Sequence, residues 1–192
     1  MATDPSNGWD AIAADFIAAR SGIGSAAVLD WARSSMPPGA TLLDIGCGSG
    51  FPIARTLADN GFSLYGIDAS VHLIAEARCN VPEMVAACEA AETSRFFDRT
   101  FDGVLAIGLI FLLAPETQES LLSAIPSALK PNSRLLFTAP EQDYAWPDAL
   151  TGRTSRSLGA KAYTRILVER GLEPVGTFCD EGGNTYFDFR KA

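Results

Sequence analysis

Apolar side chains near the start of the chain recur every three or four residues, the spacing of one helix face. The apolar positions of this first predicted helix are Trp9, Ile12, Ala13, Phe16 and Ile17. A second helix is predicted from about Gly24 to Ser35, because Ser21 and Gly22 interrupt the first pattern and Pro37 follows the second. We expect residues 1–36 to form a helical cap on the domain that follows.

Short apolar runs alternate with helical patterns from Thr41 onward. Runs such as Val104 to Ile107 are continuous, which is typical of strands covered on both faces. The predicted strands are Thr41–Ile45, Ser63–Ile67, Met84–Cys88, Gly103–Ile107, Arg134–Thr138, Pro174–Cys179 and Thr185–Arg190. The predicted helices are Pro52–Asn60, Ser70–Arg78, Glu116–Leu129 and Ala160–Arg170.

This order of elements predicts an α/β fold with a doubly wound, mostly parallel, seven-stranded sheet of the Rossmann-like type. The segment from Glu181 to Asn184 separates the last two strands by a short turn, which predicts a C-terminal antiparallel hairpin. No repeat, low-complexity tract or Pro/Gly-rich linker divides the chain. We therefore expect a single domain over residues 1–192, with its core in residues 41–192.

Composition narrows the possible classes of protein. The 192 residues carry a net charge of -8, so we do not expect an extended nucleic-acid surface. The chain begins without a signal-peptide pattern, and no apolar stretch approaches the roughly 20 residues that span a bilayer. The four cysteines show no CxxC pairing and have no neighbouring histidine, which argues against a metal site. These features favour a cytoplasmic protein without metal or membrane partner and leave its oligomeric state open.

A glycine-rich turn follows the first predicted strand. Its glycines, which let backbone approach a ligand closely, are Gly46, Gly48 and Gly50. Asp68, at the end of the next strand, can accept two hydrogen bonds from a ribose diol. Phe51 stands where a dinucleotide-binding GxGxxG motif has its last glycine. Asp44 before the turn suits a cationic ligand, so S-adenosylmethionine fits this turn better than a dinucleotide.

The pattern Asp44-x-Gly46-x-Gly48-x-Gly50, with Asp68 ending the next strand, resembles the class I S-adenosylmethionine-dependent methyltransferases. The segment from Phe101 to Ala106 is similar to the fourth strand of that family. The segment from Leu129 to Phe137 is similar to the turn into its fifth strand, although Asn132 and Ser133 replace the usual paired glycines. The match runs from about Thr41 to Pro140, more than half of the chain. It implies S-adenosylmethionine as cofactor and S-adenosylhomocysteine as product.

The resemblance also implies which residues hold the cofactor. Those expected at the methionine end are Cys47, Ser49, Ile107 and Gly108. Those expected at the adenine end are Ala69, Ser70, Cys88, Glu89 and Ala90, with Glu92 as an alternative to Glu89. The first helix covers the cofactor in many members, and the candidates for that role are Trp9, Phe16 and Arg20. Core packing of Trp9 and Phe16, and helix capping by Asp44 or Asp68, are the alternative interpretations.

Methyl transfer from a sulfonium needs positioning and desolvation more than a dedicated base. His72 is the only histidine and is predicted at a solvent-facing helix position. The catalytic candidates, which follow the fifth strand and could orient or deprotonate an acceptor, are Glu141, Asp143 and Tyr144.

Two segments are expected to contact the acceptor. Residues 109–113, which include Phe111, predict an apolar wall. The segment from Asp143 to Leu158 is expected to be a loop that closes over a small, partly apolar acceptor with a carboxylate or similar anion. The residues proposed for that closure are Tyr144, Trp146, Arg153 and Arg156. A solvated loop with a turn is the alternative.

The sequence therefore favours a methyltransferase with a small-molecule acceptor. The alternatives are a methyltransferase acting on a protein or RNA, a nicotinamide-dependent oxidoreductase and a noncatalytic S-adenosylmethionine-binding protein. Gly108-Leu109-Ile110-Phe111 stands where an Asn/Asp-Pro-Pro-Tyr/Phe motif would follow the fourth strand, which disfavours planar amide or exocyclic amino nitrogens as acceptors. The oxidoreductase would need GxGxxG and a Tyr-x-x-x-Lys motif, and the sequence has neither.

Overall fold

The computed structural model describes residues 4–192. The strands are β1 Thr41–Ile45, β2 Ser63–Asp68, β3 Val85–Cys88, β4 Phe101–Ala106, β5 Leu129–Thr138, β6 Asp143–Pro147, β7 Thr154–Leu158, β8 Leu172–Cys179 and β9 Thr185–Lys191. The helices are α1 Ala13–Ala19, α2 Ser25–Ser35, α3 Ile53–Asp59, α4 Val71–Asn80, α5 Pro115–Ala124 and α6 Ala160–Val168. The first three residues of the predicted cap lie outside the described residues.

Seven strands form one sheet in the order β3-β2-β1-β4-β5-β9-β8. The pairs from β3 to β5 are parallel, whereas β9 runs antiparallel to β5 and β8 antiparallel to β9. This confirms the predicted Rossmann-like sheet with its C-terminal antiparallel hairpin. Because β1 lies between β2 and β4, the carboxyl ends of these three strands lie side by side at one edge of the sheet.

The continuous apolar runs of the sequence form strands of a sheet whose two faces are both covered. Along β1, Leu43 and Ile45 belong to one buried cluster and Leu42 to another. Successive strand side chains point to opposite faces, so the two clusters lie on opposite sides of the sheet. All three side chains are fully buried. Among the described helices, none combines the length and apolar character that a bilayer crossing requires.

One predicted helix is wrong in its last five residues. The expected helix Glu116–Leu129 is α5 followed by a 3₁₀ turn, Ile125–Ala128, and Leu129 already belongs to β5. Pro126 explains the early end, because its nitrogen has no hydrogen to donate and its ring collides with the preceding helical turn. The predicted strand Arg134–Thr138 begins five residues too late, since β5 starts at Leu129, and every other predicted strand end lies within two residues of the one observed.

The segment from Asp143 to Leu158 is not the expected loop. It forms a separate two-stranded antiparallel sheet, β6–β7, in which Tyr144 pairs with Ser157 and Trp146 with Ser155. Both serines are buried, so one face of this hairpin packs against the domain. Its turn is held by the Asp148 carboxylate, which accepts hydrogen bonds from the backbone N–H groups of residues 150 and 151 at 3.0 and 2.7 Å.

A buried glutamine joins the hairpin to helices α5 and α6. Gln118 on α5 donates from Nε2 to the carbonyls of Leu113 and Arg156, each at 2.8 Å. Its Oε1 accepts a hydrogen bond from the Tyr163 hydroxyl on α6 at 2.9 Å. That hydroxyl also accepts from the Leu158 N–H at 3.0 Å. Gln118 is fully buried, so all its polar atoms depend on these partners.

Replacing Gln118 with leucine should destabilise the fold, because two carbonyls and one hydroxyl would lose a buried partner. We expect the free energy of unfolding to fall by about 2–4 kcal/mol. Urea unfolding followed by circular dichroism measures the change. Glu119→Ala, on the exposed side of the same helix, is the matched control and should stay close to wild type. A Gln118→Leu variant as stable as this control would contradict the assignment.

Candidate functional site

The glycine-rich turn after β1 is fastened to the end of β2. The backbone N–H groups of Gly46 and Cys47 donate to the Ile67 carbonyl at 2.8 and 3.0 Å. Gly46 and Gly48 have φ values of 74° and 56°, in the left-handed region that favours glycine. At Gly48 a Cβ atom would lie 3.2 Å from the Phe16 ring. The missing side chain at Gly48 therefore lets Phe16 pack directly on the turn.

Asp68 ends β2 directly beside this turn. Its Oδ2 accepts a hydrogen bond from the Gly48 N–H at 3.0 Å, and its Oδ1 accepts one from the Ser70 N–H at 2.9 Å. Burial raises the pKa of Asp68, while these N–H groups lower it. Ser70 caps α4, since its hydroxyl oxygen accepts from the Leu73 N–H at 3.1 Å.

A second acid and one cation complete the electrostatics of the turn. Asp44 is 3% exposed, and burial together with the nearby Asp68 charge raises its pKa to about 7. The Arg20 guanidinium opposes that shift. Arg20 donates from Nε to the Phe51 carbonyl at 3.4 Å and lies 5.1 Å from the centre of the Phe16 ring. Acids and a cation on either side of one turn suit a ligand that carries both charges.

A cavity of about 320 Å³ lies over the turn and the ends of β2 and β4. The expected cofactor residues that line it are Gly46, Cys47, Gly48, Asp68, Ala69, Glu89, Ile107, Gly108 and Arg20. Glu92 also lines it, so the choice between Glu89 and Glu92 stays open. The expected residues outside its lining are Asp44, Ser49, Gly50, Ser70, Cys88 and Ala90. Of these, Asp44, Ser49 and Ser70 are buried polar residues around the turn.

The N-terminal segment forms the opposite wall of the cavity. We call residues 4–20 the N-terminal strap. It contributes Trp9, Phe16 and Arg20, the residues that the sequence indicated. It also contributes residues 4–7, which the sequence did not indicate. These residues form a turn, and an aspartate that begins such a turn is the sequence signal that could have identified them. The Asp4 carboxylate accepts hydrogen bonds from the N–H groups of residues 6 and 8 at 2.9 and 2.7 Å.

The apolar wall after β4 is only partly the one expected. Leu109, Leu112 and Leu113 line the cavity, but Phe111 points elsewhere and packs against Trp146 at 5.5 Å between ring centres. Trp146 in turn contacts Tyr144 at 4.8 Å. These aromatic rings fasten the β6–β7 hairpin to the wall from outside and do not line the cavity.

The polar residues expected at the acceptor are also placed outside the cavity. Arg156 forms an ion pair with Asp143 at 3.0 Å, and both side chains are largely exposed. Glu141 is exposed, and its backbone carbonyl accepts from the N–H of residue 160. Arg153 reaches the strap, where its guanidinium donates to the Asn7 side chain. Within residues 4–192, no group of three or more His, Cys, Asp or Glu side chains is arranged to hold a metal ion.

Replacing Asp44 with asparagine should stabilise the ligand-free protein at alkaline pH. The folded-state pKa of about 7 lies above the ordinary value of 3.8, so the folded protein holds an extra proton between these values. Its stability therefore falls as pH rises through that window. Above pH 7 we expect Asp44→Asn to gain about 2–4 kcal/mol, and near pH 4 to gain nothing.

Urea unfolding at acid and alkaline pH measures this gain. Asp30→Asn, at an exposed position of α2, is the control and should show no pH-dependent gain. An Asp44→Asn protein no more stable than wild type at about pH 8 would contradict the burial of an ionised carboxylate.

Known proteins resemble this chain in sequence and in fold. A curated relative, an uncharacterized methyltransferase from Synechocystis, is 31% identical over 97 residues, which are 50% of this chain and 45% of the relative. The match thus spans about half of the relative's length. The solved structure of magnesium protoporphyrin IX methyltransferase from Synechocystis, with bound S-adenosylmethionine, has a TM-score of 0.78 at 16% identity and covers 100% of this chain and 99% of its own.

A second solved structure is an amino pentose methyltransferase from Micromonospora echinaspora, also bound to S-adenosylmethionine. It has a TM-score of 0.74 at 20% identity, with coverage of 94% of this chain and 95% of its own. At such identities the two structures show the shared fold alone. A family model described as a methyltransferase domain matches residues 19–176, well over half of the chain. The chain therefore belongs to this methyltransferase domain family.

Proposed function

We propose that the protein transfers a methyl group from S-adenosylmethionine to a small-molecule acceptor. The observation that carries the proposal is one cavity in which the glycine turn, Asp68 and Arg20 face the same space. Family membership supports a methyltransferase, and two structures of the same fold hold S-adenosylmethionine. S-adenosylmethionine supplies a methyl group already activated by its positive sulfur.

The residues around the cavity match the chemical groups of this cofactor. Asp68 would accept hydrogen bonds from the ribose hydroxyls while keeping its bonds to the turn. Arg20 would pair with the cofactor's carboxylate, and Asp44 would balance its ammonium and sulfonium charges. The remaining contacts that we propose at its methionine and adenine ends are Cys47, Ser49, Ile107, Gly108, Ala69, Ser70, Cys88, Ala90 and Glu89 or Glu92.

The chain's own contribution to the reaction would be positioning and exclusion of water. Leu109, Leu112 and Leu113 offer an apolar surface beside the end of β4, and the strap covers the opposite side. An acceptor held between them would meet the methyl group in line and with little water around it. We keep Arg153 as the acceptor-side cation, because its contact with Asn7 places it beside a residue that lines the cavity.

A small acceptor is favoured over a macromolecule. The cavity of about 320 Å³ is partly enclosed by the strap, and the net charge of -8 opposes a nucleic-acid backbone. The two structural relatives act, by their names, on a magnesium porphyrin and an amino pentose. We also propose that residues 1–36 cap the core of one domain. A cytoplasmic location is our further proposal, which the four free cysteines support.

Calorimetric titration with S-adenosylmethionine, S-adenosylhomocysteine and NAD(H) tests the cofactor. Binding of NAD(H) alone would overturn the proposal. Release of S-adenosylhomocysteine in the presence of a small-molecule library then tests turnover. Cofactor binding without turnover on any acceptor would favour the noncatalytic alternative, and turnover only on protein or RNA would favour a macromolecular acceptor.

The substitution Asp68→Ala should weaken S-adenosylhomocysteine binding by more than about 1 kcal/mol, because charge-assisted hydrogen bonds to the ribose would be lost. Calorimetry on the purified variant measures the loss. Asp98→Ala, at an exposed acid outside the cavity, is the control. Unaltered affinity in a folded Asp68→Ala protein would show that Asp68 does not hold the ribose.

Cofactor binding should release a proton near neutral pH. Asp44 has a pKa of about 7 in the ligand-free protein, and a bound ammonium or sulfonium would lower it. We therefore expect affinity for S-adenosylmethionine to rise as pH increases through about 7. Titrations in buffers of different ionisation enthalpy count the proton released, and Asp44→Asn should abolish the pH dependence. An equally steep pH dependence in that variant would assign the proton to another group.

A further inference from the structure

Asp10 lies in the middle of the strap and fastens it to the start of α4. Its Oδ1 accepts hydrogen bonds from the Ser70 hydroxyl at 2.6 Å and from the His72 N–H at 3.0 Å. Its Oδ2 lies 3.0 Å from His72 Nδ1. One carboxylate thus joins two segments that are 60 residues apart in the sequence.

The placement of Asp10 is electrostatically favourable. The N-terminus of α4 presents unpaired N–H groups and the positive end of the helix dipole, which attract a negative charge. The His72 and Ser70 hydrogen bonds hold the pKa of Asp10 well below its usual range, to about 2. Asp10 is therefore ionised, and its bonds to α4 are charge-assisted.

The contact between Asp10 and the start of α4 also positions one wall of the cavity. Trp9, the neighbour of Asp10, lines the cavity and packs edge-on against Phe16 at 5.5 Å. Phe16 lies directly over the glycine turn at Gly48. Ser70 gives its hydroxyl to Asp10 and its N–H to Asp68. The position of the strap is thereby tied to the same residue that orients the proposed ribose ligand.

A second anchor lies on the other side of Trp9. Arg153 of the β6–β7 hairpin donates to the side chain of Asn7, and its guanidinium packs against Gly8. The strap is thus held from the hairpin by one contact and from α4 by the other. Removing the Asp10 contact leaves the Arg153 anchor and the Phe16 packing in place, so we expect the strap to loosen without unfolding the domain.

We propose that Asp10 is a positioning residue that holds the N-terminal strap closed over the cofactor and so sets how long the product stays bound. The proposal rests on the proposed function, because it takes S-adenosylhomocysteine as that product. Asp10 touches neither cofactor nor acceptor in this assignment. It acts through Ser70 and His72 on one side and through Trp9 on the other.

The test compares Asp10→Ala with wild type in the rate of S-adenosylhomocysteine dissociation. Stopped-flow tryptophan fluorescence follows it, since Trp9 lines the cavity. Loss of charge-assisted hydrogen bonds should raise the rate about tenfold. Asp10→Asn keeps an oxygen that accepts from Ser70 and His72 and should give a smaller increase. Asp15→Ala, an exposed acid of the same strap, is the control and should match wild type.

Hydrogen exchange in the ligand-free proteins locates the effect. Faster exchange in Asp10→Ala confined to the strap and the first turn of α4 supports the proposal. A dissociation rate within twofold of wild type would overturn it, as would an increase in exchange that extends equally to β1 and β2. If wild type fails to bind S-adenosylhomocysteine, the proposed function fails, but the exchange of residues 5–17 still decides whether Asp10 holds the strap.

Discussion

The fastening of the glycine turn to the end of β2 is the constraint on which the rest of the site depends. Because the Ile67 carbonyl accepts from two N–H groups of the turn, β1 and β2 end at the same height. Asp68 then bonds back to the Gly48 N–H, and this bond fixes the direction of its carboxylate. The strap, which packs on Gly48 through Phe16, takes its position from the same turn. A displaced turn would move both walls of the cavity together.

In the ligand-free protein, the charges beside the glycine turn lower the stability of the fold. Two acids lie beside the turn, and only Arg20 opposes the raised pKa of Asp44. Burying two carboxylates beside a single cation is unfavourable, and burial together with the Asp68 charge raises the pKa of Asp44 to about 7. Unfavourable buried charge at a binding site is a common compromise between the stability of the fold and its affinity for a ligand.

Local pattern predicted the sheet, the turn and the side chains next to it, because strand ends and glycine spacing determine those positions directly. Asp68, placed by the end of its strand, and Arg20, indicated by the family resemblance, both line the cavity. The roles of Gln118 and Asp10 could not be predicted from sequence patterns, because each forms hydrogen bonds with residues far away in the sequence. The β6–β7 hairpin differs from the predicted loop because each of its strands has only five residues and neither has an apolar run longer than three residues. The features that could not be predicted are thus the long-range polar contacts that hold one helix or hairpin against another.

Because of the hydrogen bonds at Gln118, evolutionary changes in the hairpin and changes at the glycine turn have different consequences for the site. Gln118 joins the hairpin to the carbonyl of Leu113, at the end of the apolar wall, and its hydrogen bonds go to Leu113, Arg156 and Tyr163, outside the glycine turn. Substitutions in β6 and β7 themselves can therefore alter the hairpin without disturbing the glycine turn, whereas a change at Arg153 would also release the strap that covers that turn. Under the proposed function, variants of the hairpin strands would keep the same methyl donor, because the glycine turn and Asp68 stay in place.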